Sequence, residues 1–291
     1  MQFWVVSVFI GEGVNPLKGG NPLAVFPNAE ALTEDQMQAL AQTMNLSEST
    51  FVTSTNTDGY SVRIFTPDQE LPFAGHPTIG TSWLLRRMNR LSGDRFIQSS
   101  PAGDTEITVM GDELWFERTG HSGRDLEARD PEASRSIAAA FGIDASDVGL
   151  DASKIGGSGD LKVATADGGL EQLMVPVRDD SVLGRCSPRS ELVSVHEVGV
   201  YCFTALGEGR LASRGLIFLG STAAEDPATG SAAAGLGLYL ADRGAGGNFE
   251  ILQGREMGRP SRILMRCEPG KVSIGGRCEP IFKGELEAFP A

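Results

Sequence analysis

The stretch Ala224-Glu-Asp-Pro-Ala-Thr-Gly-Ser-Ala-Ala-Ala-Gly-Leu-Gly237 decides how the rest of the chain is read. Asp226-Pro227 is extended or turn-like, because proline disfavours the α region for the residue before it. Thr229, Gly230 and Ser231 are cap residues, and a small-residue helix follows through Leu236, Leu240 and Ala241. The first turn of a helix has backbone N–H groups without internal partners. Gly and Ala side chains let a ligand approach them. The stretch therefore predicts an anion cradle with a carboxylate pair, Glu225 and Asp226, beside it.

Phe73-Ala-Gly-His-Pro-Thr-Ile-Gly80 repeats the pattern. Pro77 suits the first helical turn. Ile79, Trp83 and Leu84 form an apolar stripe, and Arg86 and Arg87 suit the negative helix end. The helices are expected at Pro77–Met88 and Ser231–Asp242. A strand precedes each, at Arg63–Phe65 and at Arg214–Phe218. Two readings stand on this match alone: an internal duplication that aims two helix starts at one cleft, or two unrelated helix caps.

Four segments resemble the PhzF family of phenazine-biosynthesis-like isomerases. They are Gly20-Asn-Pro-Leu-Ala-Val25, Asn45-Leu-Ser-Glu48, Glu70-Leu-Pro-Phe-Ala-Gly-His-Pro-Thr78 and Glu225-Asp-Pro-Ala-Thr-Gly-Ser-Ala232, in family order. The resemblance implies an α/β (α+β) chain of two pseudo-symmetric diaminopimelate-epimerase-like domains. Each is a curved sheet around a central helix, with the active site in the cleft between them. The halves are expected at residues 1–119, joined by a returning strand within 279–291, and at 120–278. The resemblance also implies a homodimer. Related epimerases and racemases carry a cysteine at each helix start; the matching places here are about Ala74 and Thr229, so two-thiol racemisation is disfavoured. Residues 151–189 fit the family pattern poorly.

Composition bounds the rest. The 291 residues are 41% hydrophobic, with 37 glycines, a globular composition of two-domain size. The net charge of −13 argues against nucleic acid. No apolar run spans a bilayer. The start, Met1 to Phe9, reads as a strand rather than a signal peptide, which predicts a cytoplasmic protein. Cys186, Cys202, Cys267 and Cys278 form no CxxC pair and are expected as free thiols.

Along the chain, Thr33 and Gln36 form a capping box, with Leu32 and Met37 as a hydrophobic staple. Met37, Leu40, Ala41 and Met44 keep the helical rhythm, and the helix stops before Asn45. Strands are expected at Phe3–Ile10, Ser49–Thr53, Tyr60–Thr66, Phe96–Gln98, Thr105–Met110, Glu113–Glu117, Val198–Ala205 and Leu216–Leu219. Further strands are expected at Phe249–Gln253, Arg262–Cys267, Lys271–Ile274 and Ile281–Leu286. Gly120–Asp130 reads as the domain crossover. Asp130, Pro131 and Gly142 punctuate a helix over Pro131–Phe141, expected as the second-half counterpart of the Thr33–Met44 helix.

Glu48 sits at a helix-to-strand junction, where a glutamate either faces a cleft or is simply solvated. The resemblance assigns it the acid/base role. His76 either closes a turn or joins Glu48 and Asp226 in proton chemistry. His121 and His196 read as surface residues. No close-spaced histidine pair supports a metal, and no dinucleotide fingerprint is present, so no cofactor is expected. The expected activity is a cofactor-independent isomerisation of a small carboxylate-bearing substrate. Glu48, His76 and Asp226 would be catalytic, and Gly75, Gly230 and Ser231 would bind the carboxylate. Alternatives are an epimerase, racemase or dehydratase of a proline-like amino acid, or a non-catalytic binding or interaction protein.

Overall fold

The computed structural model describes residues 1–128, 130–187, 199–207, 209–219 and 222–287. The chain forms two compact units, one of residues 1–117 with 275–291 and one of residues 118–274.

In the first unit the strand Cys278–Glu285 runs antiparallel to Gln2–Val8, which runs antiparallel to Asn21–Phe26. Asn21–Phe26 is parallel to Ser49–Thr55, Ser49–Thr55 antiparallel to Gly59–Phe65, and Gly59–Phe65 parallel to Arg95–Ser100. Gly103–Met110 and Glu113–Thr119 continue the sheet as antiparallel hairpins. Each parallel step needs a crossover, and a helix supplies it. Helix α1 (Glu34–Met44) fills the first and helix α2 (Gly75–Arg87) the second.

The second unit repeats this order. Ser122–Asp125 is antiparallel to Ala164–Asp167, and Ala164–Asp167 to Glu171–Pro176. Glu171–Pro176 is parallel to Gly199–Gly207, Gly199–Gly207 antiparallel to Arg210–Leu219, and Arg210–Leu219 parallel to Gly247–Gln253, which pairs antiparallel with Ser261–Glu268. Helix α3 (Ala133–Phe141) lies in the chain between the first two of these strands, Ser122–Asp125 and Ala164–Asp167. Helix α4 (Asp180–Arg185) lies in the first parallel crossover and helix α5 (Gly230–Asp242) in the second. A short strand precedes the second crossover in each unit, Glu70–Leu71 and Thr222–Asp226.

Helices α2 and α5 are central. Gly75 to Ser82 of α2 and Gly230 to Ala241 of α5 are buried. Burial along its length explains the small and apolar residues of α5, whereas α2 also buries the polar His76, Thr78, Thr81 and Ser82. Close packing leaves no room for side chains at some positions. A Cβ on Gly80 would lie 2.6 Å from Val8 Cγ2, and one on Gly237 would lie 2.4 Å from Val272 Cγ2.

Helix α1 forms as its sequence predicts. Thr33 Oγ1 accepts from Gln36 N, Gln36 Oε1 accepts from Thr33 N, and Asn45 closes the helix at φ 49°. Met37, Leu40 and Ala41 enter a core with Phe26, Phe51 and Phe65, against which Leu32 also packs.

Three expectations are corrected. Among the described residues, the topological counterpart of α1 is the six-residue α4, not α3, because α4 lies in the matching crossover and α3 does not. Helix α3 begins at Ala133 with Glu132 as its cap residue, and Asp130 instead accepts a turn bond from Glu132 N. Gly142 ends the helix at φ 69°, as its type predicts. The supposed crossover at 120–130 contains the strand Ser122–Asp125, because Ala164–Asp167 offers it an edge. His196 and Val198 lie outside the described residues.

Candidate active site

The first set of site residues lies within the first unit. Pro77 is compatible with the opening turn of α2, which begins at Gly75 after Ala74 in extended conformation, with no side chain capping it. This geometry leaves His76 in the first turn, 3% exposed. The loop after Asn45 carries Glu48 to the start of the strand Ser49–Thr55, and Glu48 Oε2 lies 3.4 Å from His76 Nε2. Of the three groups expected to converge, Glu48, His76 and Asp226, this distance brings the first two together within the first unit.

On its other side the imidazole meets Asn21, whose Nδ2 lies 3.3 Å from His76 Nδ1. Asn21 is fully buried and its Oδ1 accepts from Ser47 Oγ at 3.4 Å. Burial pushes His76 down to about 3 from its ordinary 6.5, so the ring is neutral at neutral pH. The 3.4 Å approach of Nε2 to Glu48 is not aligned as a hydrogen bond, and Nε2 has no other aligned partner among the described residues. Catalytic hydrogen bonds are often long without substrate and tighten around it.

A polar hub fixes α2 from behind. Tyr60 OH donates to Gln98 Oε1 at 2.7 Å and pairs with Ser82 Oγ at 2.8 Å. Gln98 Nε2 donates to Thr78 Oγ1 at 3.0 Å, and Thr78 Oγ1 donates to Ala74 O at 2.8 Å. These groups are buried, so each bond offsets a desolvation cost.

The second set lies within the second unit. Helix α5 begins at Gly230 and Ser231, both buried, with Thr229 in the cap position. Thr229 Oγ1 donates to Asp226 Oδ2 at 2.7 Å, and the first turn has no side-chain cap. Neither α2 nor α5 has an acidic residue in its first turn. The positive end of each helix suits a carboxylate, and at α5 the Asp226 side chain stands beside it.

Gln253 is the hub here and had no signal in the sequence. Its Nε2 donates to Asp226 O at 2.8 Å and to Thr229 Oγ1 at 2.9 Å. Its Oε1 accepts from Tyr201 OH at 2.9 Å and from Thr229 N at 3.2 Å. Ser213 Oγ donates to Tyr201 OH at 2.8 Å. Asp226 is 5% exposed, so its carboxylate is held in place by this scaffold.

Glu225 does not join Asp226 as a carboxylate pair, which corrects the sequence expectation. Arg214 takes it, through Nε at 3.1 Å and Nη2 at 2.8 Å. The same device stands in the first unit, where Arg63 Nε and Nη2 donate to Glu70 at 2.7 and 2.6 Å. In both units the glutamate opposes the residue two positions after the arginine, Phe65 against Glu70 and Leu216 against Glu225. In both, the central helix begins five residues after that glutamate and runs thirteen residues. By this spacing His76 matches Ser231 and Leu71 matches Asp226, so the two halves share a scaffold and differ in chemistry.

The four cysteines are buried, and none stands at either helix start. His121 is exposed and lies 3.2 Å from Asp242 at the far end of α5. Among the described residues no group of three His, Cys, Asp or Glu side chains is placed to hold a metal. No helix among them is long and apolar enough to cross a membrane.

Comparison with known proteins gives a consistent result. The family model described as phenazine biosynthesis-like protein matches residues 14–284. A trans-2,3-dihydro-3-hydroxyanthranilate isomerase of Pseudomonas fluorescens is 34% identical, over 93% of this chain and 90% of its own. An uncharacterized isomerase of Pasteurella multocida is 33% identical, over 92% of this chain and 89% of its own. Among solved structures, a Pseudomonas aeruginosa protein described as a predicted epimerase superposes with TM-score 0.76 at 28% identity, covering 99% of both chains. A proline racemase-like protein of Agrobacterium radiobacter, at 11% identity and TM-score 0.60 over 98% of this chain and 92% of its own, shares the fold.

Proposed function

The chain belongs to the phenazine biosynthesis-like family and is an isomerase, and we propose that it moves a proton between carbons of a small carboxylate-bearing substrate with Glu48 as acid/base. The observation that carries this reading is the approach of Glu48 Oε2 to the buried His76 Nε2, 3.4 Å apart. Proton transfer at carbon needs a base that takes a proton and returns it as an acid. Glu48 has a carboxylate for this step and a half-buried position, with its side chain 17% exposed.

In the proposed mechanism Glu48 removes a proton from one carbon and delivers it to another, so no atom is gained or lost. Neutral His76 donates through Nε2 and steadies negative charge, whether on Glu48 or on the intermediate. The first turn of α2, with the Gly75 amide, and the first turn of α5, with the amides of Gly230 and Ser231, each suit a carboxylate or enolate-like charge. Asp226, fixed by Thr229 and Gln253, orients the substrate. The relatives named trans-2,3-dihydro-3-hydroxyanthranilate isomerases carry the name of a carboxylate-bearing ring, which supports that substrate class here. Ala74 and Thr229 at the helix starts speak against two-thiol racemisation of a proline-like amino acid.

The test begins with ligand-induced melting shifts over small cyclic carboxylates. Turnover of the hits in deuterated water is then read by mass spectrometry. Glu48→Gln keeps size but cannot carry a proton, so deuterium incorporation is expected to vanish and turnover to fall about 10²–10⁴-fold. Turnover at the wild-type rate in Glu48→Gln overturns the mechanism.

A further inference from the structure

We infer that Asn21 is a positioning residue that fixes His76 as its Nε2–H tautomer, so that the ring can only donate toward Glu48. The tautomer follows from the local geometry; its link to turnover rests on the role proposed for Glu48.

The argument starts with what each group can do. A neutral imidazole has one N–H and one lone pair, and the partner of one nitrogen decides the state of the other. An ionised carboxylate only accepts. Glu48 Oε2, 3.4 Å from Nε2, therefore favours a proton on Nε2. That leaves a lone pair on Nδ1, which needs a donor. Asn21 Nδ2 is there, at 3.3 Å.

Asn21 must then turn its oxygen the other way. Oδ1 faces Ser47 Oγ, a hydroxyl able to donate to it, at 3.4 Å. Ser47 directly precedes Glu48, so one short loop holds both ends of the arrangement. The order Ser47, Asn21, His76, Glu48 is one consistent direction of donation, closed at both ends by the same loop. Reversing it would turn the Asn21 oxygen to an Nδ1–H and aim the Nε2 lone pair at Glu48. That arrangement suits Glu48 only while Glu48 itself holds a proton.

Asn21 and His76 are 0% and 3% exposed, so water does not readily substitute for either partner. Asn21 opens the strand Asn21–Phe26 opposite Val8, and His76 sits in the first turn of α2. Backbone elements therefore hold both groups. Asparagine meets the requirement because its amide carries a donor and an acceptor on one rigid plane. Leucine has the size with neither, and aspartate has the shape but only acceptors.

The test reads the ring directly. The protein is labelled with ¹⁵N and its imidazoles are observed by long-range ¹H–¹⁵N correlation at neutral pH. The chain has three histidines, and His76→Gln assigns the signal by difference. The wild type is expected to show His76 with Nε2 protonated and Nδ1 unprotonated. A wild-type spectrum with the opposite assignment overturns the inference, and it needs no variant to fold. In Asn21→Leu the ring is expected to lose its single tautomer, and in Asn21→Asp the proton is expected to move to Nδ1. Unchanged nitrogen signals in both folded variants overturn it as well.

On the substrate found in the melting screen, Asn21→Leu is expected to lower kcat by about 10²-fold with KM little changed, as for a misplaced group. A tautomer that moves while kcat does not overturns the positioning role. Glu48→Gln still tests the proton carrier by itself, so the two failures are told apart.

Discussion

Arg214 holds Glu225 through two nitrogens, at 3.1 and 2.8 Å, in the residue directly before Asp226. Arg214 Nη1 also donates to the carbonyls of Leu183 and Cys186, so one guanidinium ties the site strand to α4. The side chains are 10% and 15% exposed, which makes this a nearly buried pair.

Removing one partner of such a pair leaves a buried charge, which costs roughly 3–5 kcal/mol. Arg214→Met is therefore expected to be strongly destabilised in urea unfolding, and Glu225→Leu likewise. The double variant is expected to recover a large part of that loss, because no lone charge remains. Additive losses in the double variant would show that the pair is not coupled.

Gln253→Leu removes the hub beneath Asp226. It leaves Tyr201, Thr229 and the Asp226 carbonyl short of partners in a buried place. Each buried polar group left without a partner costs about 1–3 kcal/mol. A clear fall in Tm is expected, together with a loss of turnover larger than in a surface control. A variant with wild-type Tm would show that water takes over the glutamine's bonds.

The devices legible in the sequence were local. The capping box of Thr33 and Gln36 lies within four residues, and both helix starts are marked by Pro, Gly and Thr. What the sequence hid depends on strand register. Glu225 looks like a partner for Asp226 along the chain, but the antiparallel register sets it opposite Leu216 and beside Arg214. Helix α4 has six residues, too few for a periodic pattern, whereas α3 carries clear punctuation and draws the comparison with α1. Glu48 and His76 stood out through their motifs. Asn21 lay in a quoted motif without a role, because its use depends on a ring 55 positions away.

Stability should depend on pH through His76. Its value in the folded protein is about 3, against 6.5 for a free side chain. Below 6.5 the unfolded chain binds this proton and the folded chain does not, so stability is full above 6.5 and is lost as pH falls toward 3. In urea unfolding between pH 6 and 4, the wild type is expected to lose about 1.4 kcal/mol per pH unit more than His76→Gln. Parallel slopes for the two proteins would refute the buried neutral state.

Gly168→Ala tests how tightly the hairpin after Asp167 is set on α5. An added Cβ would lie 2.3 Å from Ser231 O and 2.4 Å from Gly235 N. Both are backbone atoms, so the helix start or the hairpin must move. A loss of about 1–3 kcal/mol is expected from overpacking. Because the clash falls on Ser231, turnover should drop even in the folded fraction, measured at a temperature well below Tm.

Asp226→Asn separates charge from shape at the second helix start. Asparagine keeps the size and can still accept from Thr229 through its Oδ1, where Asp226 Oδ2 now accepts at 2.7 Å. The backbone bond from Gln253 to the residue 226 carbonyl is untouched. Folding is therefore expected to survive. The negative charge of Asp226 stands close to the helix end proposed to receive a carboxylate, and like charges there oppose binding. Removing it is expected to tighten an unreactive carboxylate analogue by a few-fold, in line with the roughly 0.3–1 kcal/mol of a single charge near a helix terminus. Turnover is expected to fall in the same variant, because the reacting substrate loses a fixed carboxylate that orients it. Isothermal titration with the analogue and steady-state kinetics read the two effects separately. If affinity and turnover fall together, Asp226 acts instead as a direct acceptor for a donor group on the substrate, and the electrostatic reading of this helix start is wrong.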